Sequence, residues 1–590
     1  MTTAVESGAE GVRWDLTPLA PGEEAMKARL ESAVADAAAF PGRWPADSLA
    51  AIDPDRLATL LGELGALRAA REEGRVWSML LTWTDGDNPA VLDVQAWVND
   101  RLPMLEEAIR HFELAWLAVP DERARALADD PAVAADRHYL LSSRRFGPFS
   151  LSPAEERVLS ARDASAAAAW KALRDRTLGS LVVRFDDGSG EREWSMAELG
   201  AVRRQHPDRA LRRGANEATN VVVEPVLPVI AQCFDSLVGD RLAVDRLRGY
   251  GDPMAHSLLE NEVDTAIVEG LLAAADAHVG VAHKWLRLKA RLLGLEQLDA
   301  IDLAAPVFDS PPVSWAEGRR LSVDVFGGLS RTLGTEAGLF FDERRIDAEP
   351  RRGKPGGAFC EWPSTRTPGF VFLNWHGNLP DVSVLVHELG HGTHFALASR
   401  AQTDLSFGPG LTVSEVPSTF GEFLLVEHLL GEDEGLGRVA IAAMLDQATV
   451  AVWMATAFMR FERRAYELRG EGQALNADRL GELTDSALED FKGDVLTDEL
   501  GVARQLWALL PHFVHERFYM HSYVSAFLLA AALLRRAREP GFAEQYQRFL
   551  AAGGSAAPDD LFAMLDIDLR DANVWNTGFE VLDGLIDRLA

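Results

Sequence analysis

The chain reads as a mainly α-helical protein with a small antiparallel sheet set just before one central helix. Three observations predict this. Ala, Leu, Arg and Glu, all strong helix formers, dominate the first 180 residues. Helical patterning returns over 200–300 and again from 420 to the end. Only residues 351–378 shift to Gly, Pro and aromatic side chains. At 590 residues, with 47% hydrophobic and 25% charged side chains, the composition is that of a soluble globular protein large enough to form two or more lobes.

The elements follow in chain order. Asp163-Ala164-Ser165-Ala166-Ala167-Ala168-Ala169-Trp170 reads as an Ala-rich helix. Leu181 to Phe185 reads as a strand entering the turn Asp186-Asp187-Gly188, and Arg192-Glu193-Trp194 returns as its hairpin partner. That hairpin is the expected boundary between an N-terminal helical lobe, 1–195, and a helical domain, 196–590. Trp315 and Ala316 open a helix expected to reach a turn near Gly334. Gly353-Lys354-Pro355-Gly356-Gly357 is a flexible turn, and Gly369 to Trp375 is an apolar, aromatic strand. Gly408-Pro409-Gly410 separates two later helices. Ser525 to Leu534 is a buried helix, stopped by Arg535 and Arg536. No internal repeat is evident.

Composition excludes several function classes. The net charge of −31 repels nucleic acid and anionic membranes, so neither is an expected partner. No uninterrupted apolar run reaches 18 residues, so no membrane span is expected. The start, Met1 to Glu6, lacks the apolar stretch of a secretory leader. Two cysteines, Cys233 and Cys360, make no disulfide framework and suit a reducing cytoplasm. Cys360 is not expected to act as a nucleophile.

One stretch carries chemistry. His387-Glu388-Leu389-Gly390-His391 has the form His-Glu-x-x-His. On a helix, residues four apart lie on one face, so both imidazoles reach one metal ion. Glu388 sits beside them, placed to take a proton from water, which is the chemistry of a zinc peptidase. The flanks Val382-Ser383-Val384-Leu385-Val386 and Phe395-Ala396-Leu397-Ala398 are apolar, so the helix is buried and its histidines need partners. His394 shares the face but lies about 10.5 Å along the axis from His387, too far to bind the same ion. It reads as a neighbour that packs or hydrogen-bonds beneath the site. The longer metzincin motif is excluded, since it needs Gly at 394 and His at 397.

A catalytic zinc needs a third protein ligand and an open position. Downstream, Glu415, Ser418, Thr419 and Glu422 share one face of a second helix, with Pro417 suiting its first turn. Glu415 reads either as the third ligand or as an ordinary helix-start carboxylate favoured by the dipole. Glu422 is placed to hold a ligand histidine in one tautomer.

These residues resemble the oligoendopeptidase F type of the thimet oligopeptidase (M3) family of zinc peptidases. The resemblance rests on 387–391 and on Glu415-Val416-Pro417-Ser418-Thr419-Phe420-Gly421-Glu422. It extends to Gly356-Gly357-Ala358-Phe359-Cys360 and Phe370-Val371-Phe372-Leu373-Asn374, and more weakly to Asp302-Leu303-Ala304-Ala305-Pro306 and Trp14-Asp15-Leu16. It implies that Glu415 is the third ligand of one zinc per chain. It also implies two helical lobes around a deep substrate cleft, and short unstructured peptides as substrates. The upstream strands, through Gly357, Ala358, Phe372 and Asn374, are expected to offer a substrate edge, since free backbone groups there pair with an extended peptide. The family's late His/Tyr block matches Pro511 to Tyr523, with His521 in place of one tyrosine. His512, Tyr519, Tyr523 and His521 are the candidates to stabilise the oxyanion of peptide hydrolysis as neutral donors. A glycine-rich loop of the thimet branch is absent.

The expected function is hydrolysis of internal peptide bonds in oligopeptides by activated water, in the cytoplasm. The rivals are a C-terminal exopeptidase using the same zinc site and a non-catalytic peptide-binding protein.

Overall fold

The computed structural model describes residues 8–163, 165–351 and 353–590. The Met1 to Glu6 start, expected to carry no leader, lies outside them. Helices dominate, and three small sheets are present among the described residues. The contacts group the chain into two compact units, each built from three segments. The first takes Met1–Gly147, Ser310–Glu432 and Leu533–Leu569, and the second takes Pro148–Asp309, Asp433–Ala532 and Arg570–Ala590. A single division at residue 195 therefore does not describe the packing, because later segments return to complete each unit.

The first unit is built on an apolar core running from Trp14, Phe40 and Leu64 through Trp77 and Phe112 to Phe370 and Phe372. Trp14, in the weak N-terminal signature, donates its indole N–H to Thr84 at 3.0 Å and packs on both phenylalanines. The sheet of this unit has three strands, Ile346–Asp347, Phe359–Glu361 and Phe370–Phe372. The chain makes three passes, and the third inserts between the first two. Phe359 faces Phe372 in an antiparallel pair, whereas Ile346 faces Val371 in a parallel one. The sheet is thus mixed, where an antiparallel one was expected. The insertion also places Phe370–Phe372 in the middle, fully buried. Phe372 is therefore an interior residue with both backbone sides covered, and it offers no substrate edge. Asn374 lies past the strand and donates its amide to the Pro355 carbonyl at 2.8 Å.

The glycine-rich turn between the first two strands of this sheet is pinned. The Lys354 side chain is buried and meets the Asp347 carboxylate at 2.7 Å and the Leu373 carbonyl at 2.5 Å. Burial lowers its pKa, and Asp347 opposes that by favouring the charged form. The helix opened by Trp315 ends at Leu329, and a second begins at Arg331 and runs through Gly334. Ser330, extended at φ −155°, caps the second helix through its hydroxyl, so the break falls there. Gly334 instead lets the two helices touch, since a Cβ would lie 2.7 Å from Gly327 Cα.

The second unit carries the expected hairpin, Val182–Asp186 against Glu191–Ser195. The Ala-rich segment is not one helix: Pro153–Asp163 ends, and Ala167–Gly179 restarts after a turn. A two-residue parallel ladder joins Leu298–Asp299 to Leu496–Thr497, so the later chain is not helical throughout. Asp302 is fully buried and meets Arg212 at 2.6 Å and Arg209 at 2.9 Å. This weak signature residue is a structural anchor.

Two helical stretches of this unit, Arg209–Arg248 and Glu434–Gly470, are long and apolar enough to cross a membrane by length and composition alone. Counting uninterrupted runs misses them, because isolated polar residues break each run. Their charged residues are engaged within the unit: Arg241 binds the Phe513 and Val514 carbonyls at 2.9 and 2.6 Å, and Arg463 meets Glu269 at 2.6 Å.

Removing Asp302 leaves the Arg212 guanidinium buried and unpaired. Asp302→Ala is expected to destabilise the fold by about 3–5 kcal/mol in thermal or urea unfolding. The two arginines outweigh the opposing effect of burial and hold the Asp302 carboxyl below its ordinary 3.8. Its contribution is therefore complete at neutral pH and lost as pH falls below the ordinary carboxylate range.

Candidate metal centre

The motif lies on a helix spanning Leu379–Ala401, the first site helix. Asn378 caps its start in a reciprocal box with Asp381, and one Asp381 oxygen also accepts the His376 and Gly377 N–H groups at 2.6 and 2.8 Å. Val382, Leu385, Val386 and Leu389 are fully buried. The second site helix spans Leu411–Glu432. It starts earlier than the sequence suggests, so Pro417 lies inside it, where the missing N–H leaves one turn open. That is where the two helices meet. A Cβ on Gly390 would lie 2.5 Å from Ser418 Cα and 2.6 Å from the Pro417 carbonyl oxygen. Gly421 answers it from the other helix, with Val386 at 3.2 Å from its own missing Cβ.

This contact brings the donors together. His387 Nε2 lies 3.6 Å and His391 Nε2 3.8 Å from the same Glu415 oxygen, and the three ligand atoms fall within 4.8 Å of one another. All three side chains are partly exposed. The other ring nitrogen of His387 donates to Glu422 at 2.8 Å, which fixes its tautomer and turns Nε2 toward Glu415. Ser383, one turn before His387, donates its hydroxyl to the second Glu422 oxygen at 2.8 Å. Sequence reasoning misses Ser383, although its i−4 spacing from His387 on the same face is a usable signal. It also misses the main chain of Ser414, which hydrogen-bonds to His391.

The electrostatics favour a cation. Burial pushes His387 down, but the Glu422 hydrogen bond and the charges of Glu422, Glu388 and Glu415 outweigh it and raise the imidazole to about 9. Burial, then the neighbouring His387 and His394, hold His391 well below its ordinary value. Burial lifts Glu388 to about 7, with His387 opposing and Glu415 and Glu422 reinforcing. Burial likewise raises Glu415. Three carboxyl groups and two imidazoles crowd a low-dielectric pocket, and a divalent cation relieves that crowding.

The remaining candidates divide. His394 is fully buried and packs on Phe549 with centroids 6.2 Å apart. Neither of its nitrogens has a hydrogen-bond partner among the described residues, and burial lowers it to about 3, so it packs and does not bond. Cys360 keeps its proton, because burial and then Glu388 raise the thiol well above its ordinary value. In the second unit, His512, Tyr519 and Tyr523 form one cluster. His512 stacks on Tyr519 at 5.9 Å, Tyr519 meets Tyr523 edge-on at 4.9 Å, and His512 Nε2 lies 3.3 Å from the Tyr523 hydroxyl. His521 does not join it. Its side chain is buried, with Nε2 3.4 Å from the Ser257 hydroxyl, because two residues before Tyr523 on the same helix it points away from the face that carries Tyr523.

A His-Glu-x-x-His helix and a carboxylate from a second helix thus meet in a mainly helical fold, a donor set that could hold a metal ion. Comparison with known proteins narrows this. The family described as Peptidase family M3 matches residues 333–581, and the one described as Oligopeptidase F matches residues 116–182. The chain belongs to peptidase family M3. The chromosomal oligoendopeptidase F of Lactococcus lactis subsp. cremoris is 25% identical over 387 residues, covering 65% of this chain and 64% of that relative. The group B oligopeptidase PepB of Streptococcus agalactiae is 26% identical over 381 residues, covering 64% of this chain and 63% of that relative. The matched region thus spans a little under two thirds of each relative's own length. Among solved structures, one from Chlamydophila abortus superposes with a TM-score of 0.83 at 20% identity, covering 99% of this chain and 98% of that one. Oligoendopeptidase-F from Enterococcus faecium superposes at 0.67 and 19% identity, covering 95% and 99%. These likenesses establish the fold.

Gly390→Ala is expected to force the two site helices apart. Overpacking of this kind costs about 1–3 kcal/mol, and metal content measured by elemental analysis should fall with the melting temperature. Glu422→Gln keeps the volume but weakens the tautomer lock, and should lower metal affinity about 10–100-fold in a chelator competition.

Proposed function

We propose that the chain is a zinc metalloendopeptidase that hydrolyses internal bonds of short, unstructured peptides. The observation that carries this reading is the convergence of His387, His391 and Glu415 on one point, with Glu388 beside them. Zinc bonds of about 2.0–2.2 Å at tetrahedral angles put ligand atoms about 3.3–3.6 Å apart, close to the separations between Glu415 and the two imidazoles. His387, His391 and Glu415 would hold one zinc per chain, and Glu422 would orient His387. When bound, zinc supplies Lewis acidity and brings the pKa of a water toward neutrality.

The protein's own groups do the rest. Glu388, lifted to about 7 by burial, takes the proton of the attacking water and returns it to the leaving amine. The resemblance to the family supports His512, Tyr519 and Tyr523 as the oxyanion donors, and their lack of charge suits that role. Burial lowers His512, which keeps its ring neutral at pH 7. His521, turned away into Ser257, takes no part. The outer strand Phe359–Glu361, entered through Gly357 and Ala358, is an edge strand of its sheet, and an extended peptide bound there would pair as a further strand. The acidic charge and the paired arginines of the two long apolar stretches support an aqueous, cytoplasmic setting.

Glu388→Gln should keep zinc bound and lose at least about 100-fold in kcat on a quenched fluorescent peptide. Full activity in that variant would remove Glu388 from the role of base. Glu415→Ala should lower the zinc-to-protein ratio well below one, and an unchanged ratio would place the third ligand elsewhere. Peptides blocked at both ends should still be cut internally. Cleavage confined to peptides with a free C-terminus would instead identify an exopeptidase, and no cleavage of either would identify a binding protein.

A further inference from the structure

Phe518 is one of four non-glycine residues with positive φ among the described residues, at +51°. That left-handed region is disfavoured for a bulky aromatic side chain, so its surroundings must hold it there. Phe518 immediately precedes Tyr519 and the helix Met520–Arg536, which carries Tyr523. All of its handles are taken by buried partners. Its N–H donates to Glu462 Oε2 at 3.0 Å. Its carbonyl accepts the Ser257 hydroxyl at 3.1 Å. Its ring packs on Tyr466, four residues beyond Glu462 on the same helix, with centroids 4.9 Å apart.

Glu462 is an unusual residue for this position. It is 1% exposed, no arginine or lysine among the described residues forms an ion pair with it, and its Oε1 has no hydrogen-bond partner. The nearby guanidiniums are committed elsewhere: Arg241 to Tyr466 at 2.9 Å and to the Phe513 and Val514 carbonyls, and Arg517 to Asp245 at 2.7 Å. Burying a carboxyl without an ionic partner is costly, and an apolar residue would fill the same space without that cost. Among the described residues, the hydrogen bond that Glu462 makes to a neighbouring segment is the one from the Phe518 N–H, with Arg241 and Arg517 acting on it only through their charge.

We propose that Glu462 is a positioning residue. It holds the peptide before Tyr519 in the left-handed conformation and so aims Tyr519 within the His512–Tyr519–Tyr523 cluster. Arg241 secures the other end of that cluster through the carbonyls beside His512. This inference rests on the reading of Tyr519 as an oxyanion donor. Burial raises the Glu462 carboxyl to about 8, so at neutral pH it is largely a neutral acid that accepts through its carbonyl oxygen. An amide can replace it in that role.

The test is a double-mutant cycle on the full-length zinc-loaded enzyme, reading kcat and KM on a quenched fluorescent peptide. Tyr519→Phe alone should cost at least about tenfold in kcat. Glu462→Leu should cost about tenfold in kcat with KM within about twofold, whereas Glu462→Gln should stay within about threefold of the parent. Adding Tyr519→Phe to Glu462→Leu should then cost less than about threefold more. Should Glu462→Leu fail to fold, Ser257→Ala releases the same peptide from its carbonyl side and enters the same cycle. Independent, multiplicative losses would overturn the positioning role while leaving Tyr519 a donor. A costless Tyr519→Phe in the parent would overturn the donor reading itself, and the positioning role with it. Equal losses in Glu462→Gln and Glu462→Leu would also overturn the proposal, because the hydrogen bond survives only in the first.

Discussion

The space where a side chain would stand on Gly390 is filled by the peptide joining Pro417 to Ser418. Nearly everything about the metal centre depends on that contact. Two helices whose backbones approach this closely can share a single pocket, and each delivers what the other lacks. The first supplies the imidazoles of His387 and His391 and the carboxyl of Glu388. The second supplies Glu415 and, two turns later, Glu422. Pro417 belongs to the same design, because the interior of a helix is an uncomfortable place for proline unless a neighbour exploits the gap. A larger residue at 390 would leave each helix intact and lose the site.

The electrostatic consequence is a pocket that is poorly satisfied by protons alone. His387 is pulled strongly toward its charged form, while His391, four residues away, is pushed strongly toward its neutral one. Glu388 and Glu415 are both raised by burial. Such opposed shifts among neighbouring groups cluster at functional sites. Glu422 and Ser383 then decide which nitrogen of His387 faces inward.

Much of this is legible in the sequence, and the reasons are specific. Residues four apart on a helix must share a face, so the numbering of the two histidines is enough to pair them. Glu415 can be placed on a second helix but not chosen over an ordinary helix-start carboxylate by spacing alone. Only the family resemblance selects it. What the sequence hides is the order of segments in space. Composition identifies the Phe370–Phe372 strand, yet nothing local says that a third pass of chain inserts between two earlier ones and buries Phe372. The same limit applies to the division into units, since Leu533–Leu569 returns to the first unit from far along the chain. His521 departs from expectation for a related reason. Its spacing from Tyr519 and Tyr523 puts it in the right block, but helical phase turns it toward Ser257. The left-handed Phe518 cannot be foreseen, because the residue type argues against that conformation.

The most direct test is zinc-edge X-ray absorption on the purified, zinc-replete protein. One zinc with two imidazole shells and one carboxylate oxygen, losing one imidazole in His391→Ala and the carboxylate in Glu415→Ala, is the expected result. A zinc environment without paired imidazoles, or one unaltered by both substitutions, would contradict the assignment of His387, His391 and Glu415 as its ligands.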